Sequence, residues 1–145
     1  MSLLTAYSTQ IRVAPYTGPE TRSHPTWRLL EQALQVTAEE FAGELKEGVV
    51  DYYGNYQACD FALVTPIFPR GLGVKVSPAT GEVRFLYDPY GGYERHANRL
   101  RDSLTQNYTA LAVAEALRTL NYEVEMEEER IAGGPEKRVV VRGAL

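Results

Sequence analysis

Two histidines, a single cysteine and an acidic run near the C-terminus are the residues of this 145-residue chain whose types could do chemistry. His96 is the best placed of them: in the first turns of a long helical pattern it could approach Asp88 and Tyr90 and transfer a proton. His24 stands beside Pro25 just ahead of a helix, where capping or a surface role is expected. Neither histidine belongs to a metal-spaced cluster or an HExxH arrangement, so no metal and no cofactor is expected. Cys59 would be a nucleophile only if a cation or a helix terminus lowered its pKa. The run "EMEEER" at 125–130 reads as a solvated strand face, and "FPRGLGV" and "GGPEK" are glycine-rich without matching a P-loop or a dinucleotide fingerprint.

Tyrosine and arginine form the more telling constellation. Tyr53 and Tyr56 lie in "DYYGNYQACD" (51–60), Tyr90 and Tyr93 in "DPYGGY" (88–93), and Arg95, Arg99 and Arg101 follow at the start of the long helix. These two residue types are enriched where proteins meet partners, because each offers a large contact area with a polar tip. The first expectation is therefore a noncatalytic protein-interaction or regulatory domain that uses segment 88–101 and the 53–56 hairpin tip. The alternative is a small-molecule-binding domain or small enzyme with a pocket lined by Asp88, His96 and Arg99. Stacked single-stranded nucleic acid is disfavoured by the net charge of -4 and by the lack of an RNP-like sequence.

The elements that must position these residues follow from hydrophobic period. Leu3 to Val13 alternates as a strand whose favoured face holds Leu3, Thr5, Tyr7, Thr9, Ile11 and Val13. "APYTGPETRSHP" interrupts it as a surface loop. Trp27, Leu30, Leu34, Ala38, Phe41 and Leu45 are spaced as one face of a helix, and the capping-box pair Thr37 and Glu40 allows either one helix or two, 24–36 and 38–46. Val49–Tyr53 and Tyr56–Thr65 flank Gly54-Asn55 as a tight hairpin. Its register pairs Tyr53 with Tyr56 and Val50 with Cys59, burying Cys59 with Tyr52, Phe61 and Leu63 while Asp51 and Asp60 point away.

"TPIFPRGLG" is a connection, and a second hairpin pairs Val76 with Val83 and Lys75 with Arg84 around "SPATG". The long helix begins after "DPYGGY"; its stripe Leu100, Leu104, Tyr108, Leu111 shifts to Val113, Leu117, Leu120, so a break near Thr105 to Asn107 is expected. A last hairpin turns at "AGGP", with Glu129 opposite Arg138, Glu125 opposite Arg142, and Met126 meeting Val141 inside. The order specifies an α+β fold: an antiparallel sheet with two amphipathic helical segments on one face, a ferredoxin-like or related two-layer sandwich, in a single domain spanning 1–145.

Composition agrees with a folded chain, at 44% hydrophobic and 23% charged residues. The opening "MSLLTAYSTQIRV" has neither a basic n-region nor an apolar h-region, and one cysteine cannot staple a chain, so a cytoplasmic location away from membranes is expected.

"TAYSTQI", "YQACDFAL" with "GLGV" after it, "YDPYG", and "LTQNYTALAVAEALRTLNYEVEMEEE" running into "RVVVRG" together resemble the hypothetical chloroplast reading frame 35 family, small proteins of unknown function in cyanobacteria, plastids and other bacteria. That resemblance spans almost the full chain and implies a compact cytoplasmic domain with a protein partner, such as an AAA-type ATPase or another small co-encoded protein; apart from it, a homo-oligomer is a further expectation. It carries over no catalytic residue.

Overall fold

The computed structural model describes residues 4–120, 123–130 and 137–144. Five strands form one antiparallel sheet: β1 (Thr5–Arg12), β2 (Glu44–Val50), β3 (Tyr56–Val64), β4 (Leu72–Val76) and β5 (Glu82–Tyr87), in the order β1-β5-β4-β3-β2. The run β2 to β5 is an uninterrupted meander, and β1 closes onto the free side of β5. This is the related two-layer arrangement rather than the split crossovers of a ferredoxin-like sheet. Helix α1 (Pro25–Glu40) carries the chain from the β1 edge to the β2 edge, and α2 (Glu94–Thr119) follows β5. A separate two-stranded sheet, β6 (Glu123–Arg130) with β7 (Lys137–Ala144), packs on α2.

Alternate strand residues face the helices, and they build one core. Phe61 and Leu63, Leu72, Val74 and Val76, and Val83, Phe85 and Tyr87 meet Trp27, Leu30 and Leu34 of α1 and Ala97, Leu100 and Leu104 of α2. Each large side chain removed from water here contributes roughly 1.5–3 kcal/mol, so the sheet cannot lose its helical layer and stay folded. Trp27 is also fixed by a bond: its indole N–H donates to the Ala14 carbonyl at 2.8 Å. His24 caps α1 as expected, its Nδ1 accepting from the Thr26 amide at 3.2 Å.

α1 is one helix and it stops at Glu40, so the expected continuation to residue 46 does not occur. The reason is a Schellman turn: Phe41 is the C-cap, Ala42 takes φ 54, and the Gly43 amide reaches back to the Ala38 carbonyl at 2.8 Å. Leu45, which fits the helical spacing, belongs to β2 and faces the core from there. Thr37 begins no second helix; its hydroxyl donates to the Ala33 carbonyl inside α1 at 2.7 Å. β2 correspondingly starts at Glu44, not Val49.

α2 runs unbroken through Thr105, against expectation. Its buried stripe continues as Ala97, Leu100, Ser103, Leu104, Asn107, Ala110 and Ala114, with two polar residues standing where apolar ones would mark the helix face. They are paired across the helix interface. The Asn107 amide donates to Thr37 Oγ1 at 2.9 Å and to Glu40 Oε1 at 2.8 Å, and the Ser103 hydroxyl donates to Glu40 Oε2 at 3.0 Å.

In β1 only Ile11 reaches the core among the strand's own residues, and Tyr7 stays exposed at the sheet edge. The loop after β1 contains a short 3-10 helix, Pro19–Ser23. The β4–β5 register is the expected one, Val76 with Val83 and Lys75 with Arg84. So is that of β6–β7, which pairs Glu129 with Arg138, Glu125 with Arg142 and Met126 with Val141, although Met126 remains exposed. The "AGGP" turn lies outside the described residues.

The left-handed Ala42 supplies a test of the α1 stop. Alanine at such a position costs about 1 kcal/mol that glycine avoids. Ala42→Gly is therefore expected to raise stability by up to about 1 kcal/mol in urea unfolding, with the helical signal in circular dichroism unchanged.

Candidate functional site

Asp51 and Asp88 organise the loops that follow β2 and β5, which leave opposite ends of the meander and meet through the Tyr52 amide. β2 pairs with β3 through Val50 opposite Tyr56, which leaves 51–55 as the connecting loop in place of the expected two-residue turn. Asp51 is 2% exposed, although its strand position predicts that it points outward. One carboxylate oxygen, Oδ1, accepts the backbone amides of Tyr53 and Asn55, both at 2.9 Å, and Oδ2 accepts the Asn55 side-chain amide at 2.9 Å. A short acidic side chain that bonds nearby backbone N–H groups competes with the strand ladder, and here it displaces Tyr53 from its pairing with Tyr56.

Asp88, 1% exposed, joins that loop to the one after β5. Its Oδ2 accepts the Tyr52 amide at 2.6 Å and its Oδ1 the Tyr90 amide at 3.0 Å. The Arg70 guanidinium approaches the same carboxylate at 3.7 Å and donates to the carbonyls of Asp88 at 3.1 Å and Tyr90 at 2.6 Å. Arg70 also lies over the rings of Tyr93 at 4.9 Å and Tyr52 at 5.4 Å, and its own carbonyl accepts the Val50 amide at 3.1 Å. Three loops, 51–55, 65–71 and 88–93, are thus tied through the buried Asp88 carboxylate and the partly exposed Arg70 guanidinium.

On top of this hub stand exposed rings. Tyr52 packs edge-on against Tyr53 at 5.3 Å between centroids and against Tyr90 at 4.8 Å. The exposures of these tyrosines are 52% for Tyr52, 66% for Tyr53 and 59% for Tyr90. Tyr56, also exposed, lays its ring across Gly48, where a Cβ would come within 2.2 Å of the phenol. The expected burial of Tyr52 is thereby overturned: with its amide bound to Asp88, the ring is turned outward.

Of the residues singled out from sequence, Asp88, Tyr90 and Tyr93 come together around Arg70, and Tyr53 joins them through the ring of Tyr52. Arg95 and Arg99 do not join them; with Glu94, Asn98 and Asp102 they line an open cleft on α2, and Arg99 lies over Phe41 at 5.7 Å. His96 is half-buried and forms no hydrogen bond with Asp88 or Tyr90. Arg101 lies over Tyr7 at 4.5 Å and donates to the Tyr87 hydroxyl at 3.4 Å. The sequence reading missed Asp51, Tyr52, Asn55 and Arg70. A signal existed for the first three, since an Asp followed four residues later by Asn is a loop-forming pattern; Arg70, between Pro69 and Gly71, carries none.

Cys59 is half-buried and lies outside the core. Between the pairs Lys46 with Ala62 and Gly48 with Ala58, the three residues Cys59, Asp60 and Phe61 stand against Glu47 alone, and this bulge changes which side each side chain takes. The Cys59 Sγ sits 2.6 Å from where a Cβ on Gly73 would be, and Val49 lies at 3.2 Å from the same point, so only glycine fits there. Asp60 turns to accept the Val76 amide at 2.7 Å and to meet Arg22 at 3.5 Å. Burial pushes the Cys59 thiol up, Lys75 partly offsets this, and Asp60 adds to it. Among the described residues no group of three or more His, Cys, Asp or Glu could share a metal ion. A further cavity of about 230 Å³ lies between the two helices and the terminal hairpin, lined by Val36, Asn107, Leu111 and Met126 among others.

Two outcomes are expected. Asp88→Ala strands two amides and the Arg70 charge, so it should destabilise the fold by about 3–5 kcal/mol, and the double variant with Arg70→Ala should lose less than the sum of the two. Because the raised Cys59 pKa keeps the thiol protonated until the pH exceeds that of ordinary cysteine, alkylation by iodoacetamide near neutral pH should run slower than that of free cysteine, and its rate should climb only at more alkaline pH.

Comparison of the chain with protein-family models, with curated proteins and with solved structures finds no match.

Proposed function

We propose that the chain is a noncatalytic protein-interaction or regulatory domain whose recognition surface is the tyrosine cluster of Tyr52, Tyr53 and Tyr90, extended by Tyr56. The observation that carries this reading is the combination of exposed rings with a largely buried, hydrogen-bonded support. Both Asp88 carboxylate oxygens already accept a backbone amide, and Arg70 Nη1 donates to two carbonyls. Polar groups held in this way stiffen a surface. Rings fixed by edge-to-face packing lose little freedom on binding, so more of their contact energy reaches affinity.

The resemblance to the hypothetical chloroplast reading frame 35 family supports the same role and suggests an AAA-type ATPase or a small co-encoded protein as the partner, in the cytoplasm. No helix among the described residues is long and apolar enough to cross a membrane. The alternative, a small-molecule site or small enzyme near Asp88, His96 and Arg99, draws on the open cleft beside Arg95 and Arg99.

Mixing the purified chain with the products of neighbouring genes, followed by size-exclusion light scattering, separates these readings. A complex is expected, weakened about 30-fold or more by Tyr52→Ala or Tyr90→Ala, as hot-spot truncation costs 2 kcal/mol or above. Absence of any complex, or one indifferent to both changes and to Arg95→Glu, would move the assignment elsewhere. Saturable thermal stabilisation by a metabolite or nucleotide, lost in His96→Ala, would favour the alternative.

A further inference from the structure

The two edges of the five-stranded sheet are guarded very differently. β2, at one edge, carries Glu44, Lys46 and Glu47, all exposed, together with an irregularity in its pairing between Lys46 and Gly48. Charges and irregularities of this kind keep an edge from pairing with another chain. β1, at the other edge, has no charged residue from Thr5 to Ile11 and pairs regularly with β5 from Thr5 to Ser8. Its one irregularity comes after Ser8, where the Thr9 hydroxyl donates to the Val83 carbonyl at 2.5 Å and accepts from the Ile11 amide at 3.1 Å. Among the described residues nothing pairs with the outer side of β1. Thr5, Ala6, Tyr7 and Ser8 are all exposed, Tyr7 to 41%.

We propose that β1 is the self-association edge of this protein, pairing antiparallel with β1 of a second copy about a two-fold axis centred on Ala6. Symmetry and charge select this arrangement. A two-fold axis perpendicular to the sheet must pass through opposed copies of one residue, because side chains that face each other across strands share a side of the sheet. Centring on Ala6 sets the two small Ala6 side chains together on the open face. It sets Tyr7 against Thr5 of the other copy on the helical face, an aromatic and β-branched pairing of the kind that stabilises sheets.

Arg12 ends the strand. Antiparallel pairing holds the two Arg12 side chains about 40 Å apart at roughly 3.3 Å per residue, whereas parallel pairing would place them side by side. A foreign strand would need charge or shape to specify it, and this stretch supplies no charge; an identical uncharged strand matches it in both directions of the symmetry. The charged β2 edge then ends the assembly, so ten strands close as a dimer and do not extend into a filament.

Sedimentation velocity from low micromolar to millimolar protein tests the inference. The expected result is a monomer–dimer equilibrium whose dissociation constant rises at least tenfold in Ala6→Lys, which opposes two like charges at the axis, and does not change in Lys46→Ala on the other edge. Far-UV circular dichroism checks that Ala6→Lys folds. Should it not fold, Ala6→Cys in a Cys59→Ser background decides, because cysteines directly opposed across an antiparallel pair lie within disulfide reach and should cross-link the dimer under mild oxidation. A chain that stays monomeric throughout, a dimer indifferent to folded Ala6→Lys, or an Ala6→Cys variant that fails to cross-link overturns the proposal.

Discussion

A carboxylate that is almost wholly buried at residue 88 ties the loop after β2 to the loop after β5. Removing such a group from water is costly unless its oxygens are bonded and its charge is met. Both conditions hold: two backbone amides fill its oxygens, and Arg70 stands 3.7 Å away. The amides it binds belong to Tyr52 and Tyr90, so satisfying one charge fixes the direction in which two rings leave the backbone. Asp51 does the same for its own loop. The aromatic surface is thus a consequence of electrostatics beneath it, and not of the rings seeking the core.

The same economy of buried polar groups shapes the helical layer. Apolar side chains at facing positions would pack the two helices in several registers with little difference in energy. Asn107, Ser103, Thr37 and Glu40 restrict them to the register in which all four find partners. α2 consequently carries the terminal hairpin on one side and the sheet on the other as a continuous rod. The tyrosine cluster and the outer side of β1 draw on different residues, although Thr5 pairs with Tyr87, immediately before Asp88.

The parts of the fold readable in advance are those in which near neighbours decide. β4–β5 and β6–β7 are short antiparallel hairpins whose registers match the reading, the first set by hydrophobic alternation although it opposes Lys75 to Arg84, the second by charge and hydrophobicity together. The strand after α1 was obscured because Leu45 fits a helical stripe as well as a strand face, and the decisive event was the left-handed turn at Ala42, an alanine where glycine is usual. The apparent break in α2 arose because hydropathy alone cannot distinguish a solvent-facing Asn107 from one whose amide is bonded to another helix. The β2–β3 register failed for a similar reason, since Asp51 exchanged a ladder for its own side-chain bonds.

By itself the amino-acid sequence determined the α+β class, the hairpins, the absence of charge along β1, and the tyrosines near positions 53 and 90 as a surface to watch. Only the tertiary structure decided that Tyr52 and Arg70 belong to that surface and that Arg95, His96 and Arg99 stand apart from it. The contacts responsible join Tyr52 to Asp88 across 36 positions and Arg70 to Asp88 across 18. No local periodicity encodes such pairs: the 65–71 and 88–93 loops leave one end of the sheet and 51–55 leaves the β2–β3 pair at the other, and they meet only because that pair, irregular between Lys46 and Gly48, carries Val49 and Cys59 back against Gly73 and the Val50 amide onto the Arg70 carbonyl.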